Sequence, residues 1–236
     1  MTKYKKDYKK TSISWLKAIL KTVAVFLLCV VIFITGLMFY CNNFLTYYPI
    51  EGGSMRPLFN QNQEVGDCAY ATRSKDGITY GNVVIYNRAG HTLVVKRIIA
   101  MENDNIKIKQ DEDGLYAIYI QYNSTGDWKK LDEEYIYDKT VYEGLYNKFY
   151  NTYNDDNVEH ISASDFYDDE SGDKYYHVGE GKIFYAGDNR LGSIDCFNYG
   201  AMPASNLVGK VVYVIHSGEM RVWQVLKQFL GIYKWK

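Results

Sequence analysis

The sequence predicts a mainly β domain behind one N-terminal transmembrane helix. Three observations predict it. Thr22 to Tyr40 is nineteen residues without a charge. After residue 53, short runs rich in Val, Ile and Tyr are separated by Gly, Asn and Asp, the pattern of strands and turns. Residues 111–180 break that pattern, with 18 acids, five lysines and half of the chain's 24 tyrosines.

The apolar run comes first. As a helix it is about 28 Å long at 1.5 Å per residue, which matches the hydrocarbon thickness of a bilayer. Residues 1–21 hold seven lysines and one aspartate, and the flank after the run, CNNFLTYYPIEGG, has no Lys or Arg. The positive-inside rule places residues 1–21 in the cytoplasm, 22–41 across the membrane and 42–236 outside. A cleaved signal peptide is the competing reading. The run is longer than the usual apolar core of such a peptide, and no small-x-small site closes it. A single-pass cell-membrane protein with the lipid bilayer as a partner is expected.

The strands follow. Residues 42–53 read as an extended linker ending in a glycine turn. Tyr80 to Tyr86 is a turn entering a strand, and residues 78–86 and 91–110 pair across Asn87-Arg88-Ala89-Gly90. Ile106, Lys107, Ile108 and Lys109 alternate as in a half-exposed strand. Residues 111–180 read as an inserted, partly folded segment, and acid runs such as 165–173 as solvated loops. Strands resume at Lys182, and Leu207 to Ile215 is strongly apolar. The tail carries Val222, Val225, Leu226, Phe229, Leu230 and Tyr233 at helical spacing. It is expected to pack on the domain, with a place in the membrane interface as the alternative.

Composition excludes several classes. The 47% hydrophobic content argues against global disorder. The formal net charge of −1 conceals a basic start and an acidic middle, so partners follow from local blocks rather than from the total. No nucleic acid, metal or cofactor is expected. The cysteines Cys29, Cys41, Cys68 and Cys196 form no CxxC pair, and no EF-hand spacing is present. A Cys68–Cys196 disulfide is not expected.

The candidate chemistry rests on Ser54 and Lys96. A serine hydroxyl needs a base to act as a nucleophile. His91, His160, His177 and His216 lie in no triad context, and there is no G-x-S-x-G elbow. A lysine serves only when neutral, and burial among apolar groups lowers its pKa. Lys96 has Val94 and Val95 before it and Ile98 and Ile99 after it. In a strand it shares a face with Val94 and Ile98. Taken one at a time, a turn serine and a strand-edge lysine are unremarkable. Their combination is not.

These residues resemble a known family. Gly53-Ser54-Met55-Arg56-Pro57 resembles the serine box of bacterial type I signal peptidases, and Val95-Lys96-Arg97-Ile98-Ile99 resembles their lysine box. Asp104-Asn105-Ile106 falls where that box continues after a turn. Gly187 to Asp195 resembles the third box, and Tyr199-Gly200, Pro203 and Asn206 to Lys210 fit the stretch beyond it. The order of the boxes agrees, and so does the anchor before them. The matches span residues 48–110 and 182–215. The resemblance implies antiparallel coiled sheets of the signal-peptidase type, with the acidic, Tyr-rich segment inserted between strands. It implies a serine endopeptidase that cuts signal peptides from secretory preproteins after a small-x-small motif; a monomer is expected. Ser54 would be the nucleophile and Lys96 the general base. Ser193 would hydrogen-bond Lys96, Asp195 would hold the loop, and Gly53 would precede the oxyanion donor, the Ser54 N–H. Ile50, Met55, Phe59 and Val95 would line shallow substrate pockets.

The chain departs from that pattern in four places. Gly52 stands where some members have serine, and Asn82 where Gly-Asp is usual. Ala100-Met101-Glu102-Asn103 replaces a Gly-Leu-Pro-Gly turn. Phe197 stands where an arginine often pairs with the aspartate. Other readings are a relative dedicated to a narrow set of surface or pilin precursors and a non-catalytic surface binding module. A sortase-like transpeptidase needs a cysteine in a Thr-Leu-x-Thr-Cys context, which is absent. A self-cleaving repressor relative shares the chemistry but would lack the anchor.

Overall fold

The structure is a computed structural model that describes residues 2–62, 65–88, 92–136, 140–151 and 161–235. The chain divides into two units, residues 1–44 and 45–236. The first unit is a single helix, α1 (Thr2–Phe44). It continues through the basic flank, because Lys is a good helix former and no Gly or Pro occurs before Gly36. Residues Ser14–Phe44 are long and apolar enough to cross a membrane. Val23, Phe26, Leu27, Val31 and Ile32 are exposed, as a lipid-facing helix requires.

The second unit contains two antiparallel sheets. The larger has the order β1-β2-β12-β3-β4-β10-β11. Its strands are β1 (Leu45–Glu51), β2 (Val65–Thr72), β3 (Val83–Arg88), β4 (Thr92–Ala100), β10 (Lys182–Ala186), β11 (Met202–Pro203) and β12 (Leu207–Ile215). β3 and β4 form the expected hairpin, in the register Val83↔Arg97 to Arg88↔Thr92. β3 is buried on both faces: Val83 and Ile85 enter one core, Val84 and Tyr86 the other. This accounts for its continuous apolar run.

The smaller sheet has the order β7-β6-β5-β9-β8. It comprises β5 (Asn105–Gln110), β6 (Tyr116–Gln121), β7 (Lys129–Lys130), β8 (Phe166–Asp168) and β9 (Lys174–His177). The expected run 91–110 is thus divided between two sheets. The break is a turn in which Met101 N donates to Asp104 Oδ2 (2.8 Å) and Asn103 takes φ 65°. Asn82 closes its own turn, accepting from Thr79 N at 3.0 Å.

Residues 111–180 are no loose excursion. They supply four of the five strands of the smaller sheet and helix α2 (Val141–Tyr150). Tyr142, Leu145 and Phe149 of α2 enter the larger core. The Phe149 ring lies 5.1 Å from Phe166 and from Phe197, and 5.9 Å from Phe184. Part of the acid run is also engaged, since Asp169 and Asp173 take Lys107.

Bulges bend the larger sheet, at Phe184/Tyr185 against β4 and at Leu207/Gly209 against β3. At Gly209 the backbones approach so closely that a Cβ would sit 1.8 Å from Thr72 O. Two helices complete the unit: α3 (Cys196–Tyr199) and α4 (Arg221–Phe229). The tail packs as expected, with Val225 buried on α4 and Gln228 Oε1 accepting from Val214 N of β12 at 2.9 Å. Its outer residues Met220, Trp223, Leu230 and Ile232 are exposed. Cys68 and Cys196 are unpaired, and Cys196 is core.

Because Phe149 joins α2 to strands outside residues 111–180, Phe149→Ala should cost the whole unit about 3–5 kcal/mol. Denaturant unfolding should show one transition at a lower midpoint. An unchanged midpoint would mean that the segment folds independently.

Candidate active site

Ser54 lies in the turn that follows β1 and faces Lys96 of β4. The Lys96 Nζ is 2.8 Å from Ser54 Oγ and 3.0 Å from Val95 O. The alternation of β4 works as the sequence implies: Val94 and Ile98 join the larger core on the Lys96 side, and Val95 packs on the smaller one. Lys96 is 4% exposed. Burial pushes its pKa down to about 8, helped by Arg88 and opposed by Asp195 and Asp188. At that value a useful fraction of the amine is neutral near physiological pH.

The Ser54 turn is held from two directions. From one side, Asn60 Nδ2 donates to Ile50 O (2.9 Å) and Gly52 O (3.1 Å). Asn60 is fixed in turn by Asp67, whose Oδ2 accepts from Asn60 N at 2.8 Å. From the other side comes the Gly187–Asp195 loop. Asn189 N donates to Ser54 O and Asn189 Nδ2 to Gly53 O, both at 3.1 Å. Only glycine fits at 187, because a Cβ there would sit 2.3 Å from Ser54 O and 2.4 Å from Ser193 Oγ.

Two buried ion pairs fix that loop. Arg97 makes a bidentate pair with Asp188, at 2.8 and 2.7 Å, and its guanidinium lies 3.9 Å from the Tyr135 ring centroid. Arg190 pairs with Glu133, which also accepts from the Tyr135 and Tyr142 hydroxyls. Asp195 caps α3: its Oδ1 accepts from Phe197 N (3.1 Å) and its Oδ2 from Gly187 N (2.9 Å). Phe197, at the position where an arginine was expected, is buried among aromatic rings. The cation beside Asp195 is instead Lys148 of α2, with Nζ 3.6 Å from Oδ1.

Not every expected residue falls into place. Ile50, Met55 and Val95 line a cavity of about 210 Å³ with Ser54 and Lys96. Phe59 does not; it is fully buried in the smaller core, where it supports the turn rather than the cavity wall. Ser193 Oγ makes no bond to Lys96. It is buried without a hydrogen-bond partner among the described residues, while the lysine amine turns to Ser54 Oγ and Val95 O. Asn60, Arg97, Glu133 and Lys148 were not anticipated. Only Arg97 had a local signal, its place in the lysine box. A larger cavity, about 450 Å³, is lined by Tyr80, Arg97 and Lys210, and it lacks both Ser54 and Lys96. Among the described residues no group of three or more His, Cys, Asp or Glu could hold a metal ion.

Comparison with known proteins gives a consistent answer. The chain is 28% identical over 204 residues to signal peptidase I U of Bacillus subtilis (strain 168), covering 84% of this chain and 88% of that protein. It is 26% identical over 165 residues to signal peptidase I V of the same organism, covering 70% and 82%. Superposition on a signal peptidase I from Enterococcus faecalis V583 covers 58% of this chain and 98% of that one, at 19% identity. The TM-score of 0.34 is too low to carry an argument. The family model described as "Signal peptidase, peptidase S26" matches residues 15–216. With 202 of its 236 residues matched, the chain belongs to the signal peptidase family, peptidase S26.

Proposed function

We propose that Ser54 is the nucleophile and Lys96 the general base of this membrane signal peptidase. One observation carries the assignment: a buried lysine amine lies 2.8 Å from the serine hydroxyl. Neutral Lys96 takes the Ser54 proton as Oγ attacks the scissile carbonyl. The resulting ammonium returns a proton to the departing amine. The acyl-enzyme is then hydrolysed by water, which Lys96 activates in the same way. The Ser54 N–H is the proposed oxyanion donor. Gly53 supports it through the Gly53 carbonyl held by Asn189, Asp195 through its cap on Gly187 N, and Ser193 through its buried hydroxyl.

The substrate is a secretory preprotein, taken in extended form. Among the described residues β10 pairs with β4 at Arg97, Ile98 and Ala100, short of the start of β4, and β1 is an edge strand. The cavity therefore opens between the Pro49–Glu51 end of β1 and the Leu93–Lys96 start of β4. A peptide strand added there would meet unpaired backbone groups. Ile50, Met55 and Val95 would restrict its side chains to small ones. The domain works outside the membrane as a monomer, with the basic N-terminus in the cytoplasm and α1 as its single anchor. Neither a dedicated-client role nor a non-catalytic binding role is favoured by the family match or the relatives.

Detergent-solubilised wild type should cut a purified preprotein after a small-x-small site, read by mass spectrometry. Ser54→Ala should show no turnover, and Lys96→Ala should lose about 10²–10⁴-fold, the usual worth of a general base. Cutting that survives both substitutions would assign the nucleophile elsewhere.

The acid limb of kcat/KM should have its midpoint near the Lys96 pKa of about 8. The sign follows from the base: the ammonium is inactive, so the rate rises with pH and levels off above the midpoint. A flat profile from about pH 5 to 9 would exclude a lysine base.

A further inference from the structure

We propose that the inserted segment is a working part of the catalytic site, with Lys148 as its positioning residue: from α2 it pins the Arg190–Asp195 backbone and masks the Asp195 charge from Lys96. The proposal rests on the Ser54–Lys96 reading and deepens it.

The geometry is direct. The Lys148 Nζ donates to Ser193 O at 2.6 Å and to Arg190 O at 3.2 Å, and lies 3.6 Å from Asp195 Oδ1. Its side chain is 13% exposed. An ammonium this deeply buried needs such partners, and these three supply them. The loop it holds also carries Asn189, which bonds the carbonyls of Gly53 and Ser54. A movement at Ser193 is therefore transmitted to the nucleophile turn. α2 sits close enough to sense the loop, since a Cβ at Gly144 would touch the Leu191 methyls at 3.0–3.1 Å. Glu133, from the same inserted segment, pairs with Arg190.

The electrostatic part follows from what faces Lys96. Among the described residues, the charged or titratable groups that act on it most are Asp195, Arg88, Asp188 and the Cys196 thiol. Asp188 is matched by its bidentate bond to Arg97. Burial pushes the Cys196 thiol pKa far up, so it carries no charge at working pH. Arg88 is cationic and favours the neutral amine. Asp195 is the anion that favours the ammonium, and Lys148 is the cation beside it. Lys148 itself faces Asp195, Arg190 and Cys196, and burial lowers its pKa while Asp195 raises it. Removing the Lys148 charge would leave Asp195 unmasked. The Lys96 ammonium would then be favoured, and less of the base would be neutral at a given pH.

The test uses full-length protein and the pH dependence of kcat/KM on a preprotein. Wild type, Lys148→Met, Lys148→Arg and a Lys96→Ala control are compared, with melting temperature measured alongside. Lys148→Met should move the acid-limb midpoint upward by about 0.5–1 unit, a shift of the size a nearby charge produces. At pH 7 its kcat/KM should fall about 3–10-fold from that shift alone. Lys148→Arg should restore the wild-type midpoint. If Lys148→Met does not fold, Lys148→Gln gives the same comparison, because its amide can donate to both carbonyls without the charge. A folded, uncharged variant whose activity falls equally at every pH, with the midpoint unmoved, would overturn the proposal and leave Lys148 a packing role. A Lys96→Ala protein with wild-type activity would instead remove the underlying Ser54–Lys96 reading.

Discussion

The site depends on the desolvation of one amine. Lys96 lies opposite Val84 in the β3–β4 ladder, between Val94, Val95 and Ile98, which pack into two cores. It is only 4% exposed, so its charged form loses most of its hydration, and no direct carboxylate contact returns it. Asp195 and Asp188 act on it only from a distance, and Arg88 opposes them. The balance settles near a pKa of 8, where the amine can accept a proton. In a solvated strand the same residue would remain an ammonium and Ser54 an ordinary turn serine.

Holding the proposed nucleophile within hydrogen-bond reach of the proposed base needs a stiff frame, and the Gly187–Asp195 loop provides it. The loop is bonded to Ser54 through Asn189 and to the sheet through the Arg97–Asp188 pair. It is bonded to the inserted segment through Arg190–Glu133 and Lys148. Buried pairs of this kind add little net stability, because desolvation offsets attraction. Breaking one leaves an unpaired buried charge, at a cost of about 3–5 kcal/mol. They oppose distortion of the loop more than they stabilise the fold. The unbonded Ser193 hydroxyl lies inside this frame, and an unpaired buried polar group of that kind is expected where function constrains packing.

Much of this was legible in the sequence, and the reason differs from one residue to the next. The anchor and the β3–β4 hairpin follow from local hydropathy and turn residues, which depend on near neighbours. The Ser54–Lys96 pairing needed the box resemblance as well, because nothing in the 41 residues between them says that the two meet. Residues 111–180 were read as an inserted, partly folded segment, and what the sequence left out was how fully they fold. Their tyrosines and acids look like a polar excursion, yet Tyr142 and Tyr135 spend their hydroxyls on Glu133 and Lys107 neutralises Asp169 and Asp173. Phe59 was placed on a pocket wall by the family resemblance, and only the packing shows it turned into the core.

By itself, the sequence determined the apolar helix, the alternation of the strands and the residue types able to do the chemistry. Each of these is written in residues a few positions apart. The tertiary structure alone decided which charges are buried and which are matched. Arg97 meets Asp188 across 91 positions, Arg190 meets Glu133 across 57, and Lys148 reaches the Ser193 carbonyl across 45. A pKa depends on the dielectric and the charges within a few ångströms, and those neighbours exist only once both sheets and α2 have closed around the loop.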